Sequence, residues 1–152
     1  MSYEVRPVQV SALVAASPSE VFAYVSDTRN DPEWCRNVTG IEQLVGDGVD
    51  VGSRFRFHQS VEVRGRQLDS EVEVEVLSLG DRVIEWAVED RFQTRHVRLT
   101  VEPAEGGSKV TQQTTATFKH KPGLARWFYP FLARRTFRSQ FAELEERFTS
   151  AN

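Results

Sequence analysis

Six side chains in this sequence are suited to moving a proton or holding an anion: His58, His96, His120, Glu85, Asp90 and Arg95. Spacing decides which chemistry they can do. No His-x-His or HExxH pair is present, so a metal site has no support. No Ser, Thr or Cys sits in a recognisable elbow or triad context, so covalent catalysis has none either. Cys35 is the only cysteine, which rules out an internal disulfide and a cysteine-based zinc site. No metal or other cofactor is expected. What remains is acid–base work by a histidine or carboxylate, or capture of a carboxylate or phenolate by Arg95.

A second constellation needs no reactive group. Phe57, Gln59, Trp86, Gln112 and Thr114 combine aromatic walls with amides and a hydroxyl, the mixture that lines small-molecule pockets. The competing reading is a filled core in which those polar groups satisfy one another.

Strand alternation is what places these residues. The stretch "SRFRFHQSVEVRGRQLDSEVEVEVLSLG" alternates with a period of two: Phe55, Phe57, Val61 and Val63 are apolar on odd numbers, and Leu68, Val72, Val74 and Val76 on even ones. Parity switches across Gly65-Arg66, which predicts a two-residue hairpin with glycine first, a type II′ turn. That turn would pair Phe57 with Val74 and Phe55 with Val76, and on the opposite face Arg56 with Glu75 and His58 with Glu73. Further strands are expected at about 5–15, 41–46, 82–90, 93–102 and 109–118, joined as an antiparallel meander. In this scheme His58 and His96 face outward, and His120 lies in the loop before the last helix. Arg95 shares parity with Val97 and faces inward. Gln59, Ser70, Gln112 and Thr114 also fall on the apolar face, where an unpartnered polar group costs about 1–3 kcal/mol. They require either protein partners or a cavity.

Helices bracket the meander. "SPSE" reads as a helix start, with Ser17 as N-cap, Pro18 at the first helical position and Glu20 closing a capping box. Val21, Phe22 and Val25 give this helix its apolar stripe, and a short helical turn is expected near Asp31–Cys35. A long helix follows "KHKPG" and runs to about Phe148. Phe137, Phe141, Leu144 and Phe148 form its inward stripe at spacings of four, three and four. The opening block "RWFYPFLARR" is out of phase with that stripe. Leu124, Phe128 and Phe131 cluster on another side, and Pro130 should kink the helix. Three roles stay open for it. Trp127, Phe128 and Phe131 line the mouth of a pocket; or they dip into a membrane with Arg126, Arg134, Arg135 and Arg138 at headgroup level; or they form a homodimer or other partner contact.

The totals describe an ordinary globular chain: 152 residues, 39% hydrophobic, 27% charged and a net charge of −3. One domain over 1–152 is expected. The acidic balance argues against nucleic acid as a partner. A charged N-terminus, a single cysteine and the lack of a 20-residue apolar run point to the cytoplasm.

Several stretches carry a resemblance. "SPSEVFAYVSDTRNDPEW" looks like a capped first helix and its following turn, and "GDGVDVGSRFRF" is similar to a glycine-turn entry into a third strand. "KPGLARWFYPFLARRTFRSQFAELEERF" resembles a proline-containing last helix. Together they resemble the START and birch-pollen-allergen-like superfamily (SRPBCC), in its bacterial polyketide cyclase/dehydrase-like branch. The resemblance implies an α+β helix-grip fold: a curved antiparallel sheet of about seven strands around a long C-terminal helix, with two short helices after the first strand. It also implies an internal cavity for a hydrophobic small molecule. That leads to an expected function of binding or transporting a lipid, isoprenoid or polyketide-like compound, with Phe57, Gln59, Trp86, Arg95, Gln112, Thr114, Trp127, Phe128 and Phe131 as ligand-binding residues and none catalytic. The alternatives are a metal-free cyclase or dehydratase, and a membrane-associating delivery or interaction module.

Overall fold

A computed structural model of the chain describes residues 3–150. Strand β1 (Val8–Val14) leads to helix α1 (Pro18–Val25), a single 3-10 turn (Thr28–Asn30) and the one-turn helix α2 (Asp31–Trp34). Six strands follow: β2 (Val38–Val45), β3 (Arg54–Val63), β4 (Arg66–Gly80), β5 (Val83–Glu89), β6 (Gln93–Ala104) and β7 (Gly107–Phe118). Helix α3 (Ala125–Ser150) ends the described chain. The seven strands form one antiparallel sheet in the order β1-β7-β6-β5-β4-β3-β2, so only β1 leaves chain order to pair with β7. This is the α+β helix-grip arrangement that the resemblance implies. Among the described residues no helix is long and apolar enough to cross a membrane.

The first helix begins as its sequence dictates. The Ser17 hydroxyl accepts the Glu20 N–H at 3.3 Å, and Pro18 occupies the first turn, where its missing N–H costs nothing. Val21 and Val25 bury against β6 and β7.

The β3–β4 hairpin corrects the expected register. Its turn residues are Arg64 and Gly65, both at positive φ (51° and 77°), the signature of a type I′ turn rather than II′. Val63 therefore pairs with Arg66, and Phe57 faces Val72, Phe55 faces Val74, Arg56 faces Glu73 and His58 faces Glu71. The expected pairing was two residues off. A shift of two leaves every side chain on its own face, so alternation alone cannot distinguish the two registers. Beyond Phe57 the hairpin extends past the core: Val61, Leu68 and Ser70 are exposed although they share the inner parity.

Helix α3 crosses β1 and packs on α2. Phe137, Phe141 and Leu144 are buried as expected, and Phe148 is partly buried in edge-to-face contact with Tyr24, ring centroids 5.4 Å apart. The inward stripe also runs further back than expected, through Ala133 to Tyr129. Pro130 is accommodated inside the helix. Polar ties fix the helix against its neighbours. Leu13 N–H donates to Glu145 at 3.2 Å, and Arg147 and the Tyr24 hydroxyl share the Glu33 carboxylate at 2.6 and 3.2 Å. Burial pushes the Tyr24 phenol up to about 12, with the Arg147 charge acting against it.

Candidate functional site

Between the sheet and α3 lies a cavity of about 120 Å³. Alternation on β3, β6 and β7 brings Phe57, Gln59, Arg95 and Gln112 to its wall, and β5 adds Trp86. Five of the nine expected ligand-binding residues thus converge on one space. Valines and Leu99 from the same strands and Phe137 from α3 make the rest of the sheet–helix lining apolar.

The other four lie elsewhere. Thr114 is fully buried but does not line the cavity. It supports the wall, its hydroxyl accepting from the Gln112 amide at 3.4 Å. Trp127, Phe128 and Phe131 are 78, 59 and 69% exposed and are not among the residues lining this cavity. They sit on the outer side of α3. Trp127 and Phe131 border an open groove against Glu4, Arg6 and Pro7. The member of that aromatic block that turns inward is Tyr129, packed edge-to-face on Phe118 with centroids 5.5 Å apart. Its phenol is raised by burial, with the Arg95 charge and the Gln93 amide pulling the other way.

The histidines are all off the cavity. His58 lies on the outer face between Glu42 (3.4 Å) and Glu71 (3.6 Å). His96 pairs with Glu85 at 3.3 Å, and Glu85 in turn accepts from Ser78 at 2.6 Å. His120 is exposed in its loop. Asp90 accepts the Phe92 and Gln93 N–H groups and organises the β5–β6 turn. Among the described residues no three His, Cys, Asp or Glu side chains gather as a metal would need.

The segment after α1 supplies what periodicity could not locate. Thr28, Asp31, Trp34 and Cys35 all reach the cavity, because a 3-10 turn followed by one helical turn sets residues three apart on one side. Asp31 is partly buried. Burial pushes its carboxyl well above the usual carboxylate range, and the Asp27 charge adds to the effect. Asp27 itself is held low by Arg29, whose guanidinium donates to it twice at 2.8 Å. Burial raises the Cys35 thiol too, with Asp31 contributing.

Four of the residues that line the cavity each bury a polar atom with no hydrogen-bond partner: Thr28 Oγ1, Trp34 Nε1, Trp86 Nε1 and Arg95 Nε. Trp34 and Trp86 are only 4 and 6% exposed. Buried polar groups are nearly always satisfied. Four exceptions fall on residues around this one void.

The profile of the family described as "Polyketide cyclase / dehydrase and lipid transport" matches residues 6–149. The chain belongs to this family. Solved structures carry the same fold. A START superfamily protein from Mycobacterium smegmatis superposes with a TM-score of 0.74 at 21% identity, over 96% of this chain and 99% of that one. The protein TTHA0849 from Thermus thermophilus gives 0.74 at 20%, covering 97 and 99%. A Staphylococcus aureus protein of unknown function, SA2116, gives 0.74 at 15%, covering 99 and 96%. At these identities the likeness concerns the fold. Comparison with curated proteins gives no match.

Proposed function

We propose that the chain binds a hydrophobic small molecule in the cavity between the sheet and α3, as a carrier or receptor rather than a catalyst. The observation carrying this reading is the cavity wall itself, apolar over most of its area yet including four residues that each bury an unpartnered polar atom. A cavity of 120 Å³ compares with the engineered void of about 150 Å³ that admits benzene. That volume suits one ring or a short chain, and a larger ligand needs α3 to yield. Against turnover stands the position of the histidines, all three of which lie outside the cavity; the titratable groups that do reach it, Asp31 and Cys35, are both raised by burial.

Octanol and hydrocinnamyl alcohol, titrated while following tryptophan emission, test the reading. Saturable binding is expected, and Val74→Phe, which places a ring in the void, should abolish it while the protein still melts cooperatively. A linear response that is the same in wild type and variant would overturn the proposal.

A second reading concerns delivery, and the exposed aromatics favour it. Leu124, Trp127, Phe128, Phe131 and Leu132 are all exposed on the first half of α3, beside exposed Arg126, Arg134, Arg135 and Arg138. Among the described residues none of these arginines is paired with a carboxylate. A basic, aromatic face on a chain of net charge −3 complements an anionic bilayer. Flotation with phosphatidylglycerol vesicles should carry the protein up, with less carried by phosphatidylcholine alone. Trp127→Ser with Phe131→Ser should leave it at the bottom. Failure of the wild type to float, or a dimer in light scattering that the double variant dissociates, would overturn the membrane reading.

A further inference from the structure

Resting on the cavity-binding reading, we propose that the occupant is an organic acid: a hydrophobic body among the valines, and a carboxylate held by Arg95 and the indole N–H groups of Trp34 and Trp86. The argument begins with what those groups are able to do. Indole nitrogen and guanidinium donate and never accept, so they cannot satisfy one another. Trp34 Nε1, Trp86 Nε1 and Arg95 Nε are buried and unpartnered on residues that line one wall, and the buried amide oxygen that is equally unpartnered, Gln93 Oε1, bonds to none of them, so an acceptor has to come from outside the chain.

Water would answer the two indoles, but it leaves a charge unanswered. A guanidinium keeps its proton at any physiological pH. An inward-facing charge is costly unless an opposite charge meets it. Among the described residues no carboxylate pairs with Arg95. The acids at this end of the sheet are committed: Asp90 to the Phe92 and Gln93 N–H groups at 2.7 and 2.9 Å, and Glu89 to Lys119 at 3.1 Å. Asp31 shares the wall but makes no ion pair with Arg95; burial raises its carboxyl, and the neighbouring charge that acts on it is Asp27. A neutral lipid would leave the guanidinium as it is, and a cation would be repelled. An acid supplies both the acceptor oxygens and the charge, and charge-assisted bonds of this kind are the strong ones.

The test uses acid and alcohol pairs of matched skeleton: octanoate against octanol, and hydrocinnamate against hydrocinnamyl alcohol, by calorimetry on the full chain. The acids should bind at least about tenfold more tightly, equivalent to roughly 1.4 kcal/mol. Arg95→Met should bring the acid-to-alcohol ratio close to one, and Arg95→Lys should keep part of the preference, since an ammonium retains charge without the planar fork. Equal wild-type affinities for acid and alcohol would overturn the proposal and leave the hydrophobic cavity standing. Binding of neither class would sink both. An undiminished ratio in Arg95→Met would move the anion site elsewhere and refute the role of Arg95. If the methionine variant fails to fold, the wild-type ratio and the lysine variant still decide.

Discussion

Asp31→Asn should stabilise the protein at neutral pH, by a margin that grows as pH rises. Burial raises the folded carboxyl well above its ordinary range, with the Asp27 charge beside it. Unfolded, the same group titrates near about 3.9. Between those two values the folded state binds more protons than the unfolded one, so stability falls as pH rises. The slope for one group reaches about 1.4 kcal/mol per pH unit. Below about pH 4 the contribution is fully present, and above the folded pKa its loss is complete. Asparagine keeps the shape and cannot ionise, so the variant lacks this slope. For a chain of this size a change of about 1 kcal/mol moves Tm by about 2–4 °C. The Tm difference, variant minus wild type, should therefore climb roughly 3–5 °C per pH unit through the window. Neighbouring groups do not mimic the effect. Asp27 is held below the ordinary carboxylate range by Arg29, and Cys35 is raised from a range already above the window. Calorimetric melts from about pH 4 to 8 at fixed ionic strength make the measurement. A difference that stays flat with pH would show that Asp31 is solvated and ionised like a surface carboxylate.

Three further outcomes can be checked in parallel. Gly107→Ala should be severely destabilising, because a Cβ there would fall 2.1 Å from the Val14 carbonyl oxygen and 2.9 Å from the Ala16 nitrogen, both backbone. Gly106→Ala, at φ 81° with open space around it, should lose only about 1–2 kcal/mol in denaturant melts. Cys35, buried and with its thiol raised, should react with iodoacetamide at about pH 8 at least about tenfold more slowly in the native protein than in urea, because the thiolate is the nucleophile. Equal rates in mass-spectrometric time courses would mean the α2 end of the cavity is open.

What the sequence revealed follows from which signals are local. A cap is local, so Ser17, Pro18 and the start of α1 could be read directly. Which face a strand residue occupies is nearly local too: alternation put Phe57, Gln59, Trp86, Arg95 and Gln112 on the inner face, where the structure brings them around a common space. Register is not local: the hairpin turned at Arg64-Gly65 instead of Gly65-Arg66 without moving one side chain across the sheet. Nor does alternation say where an inner face ends, and Val61, Leu68 and Ser70 lie beyond it. The stretch "DTRNDPEW" has no period to read, so Thr28, Asp31 and Trp34 came to the wall unannounced.

Helix α3 shows why aromatic content is a poor guide to burial. Counting back in fours from Phe141 gives Phe137, Ala133 and Tyr129, a phase that the more conspicuous Trp127, Phe128 and Phe131 obscure. The fold buries a methyl and a phenol from that half and leaves a tryptophan and two phenylalanines in water. Cys35, Trp34 and Asp31 show the converse: polar and reactive groups are drawn inside while apolar bulk stays out. Each choice opposes what folding alone favours, since buried unpartnered polar groups cost about 1–3 kcal/mol apiece and exposed aromatics forgo transfer energy of similar size. A partner with acceptor oxygens inside and an apolar, anionic surface outside would remove both penalties, and an acidic lipid-like molecule exchanged at a membrane combines those properties.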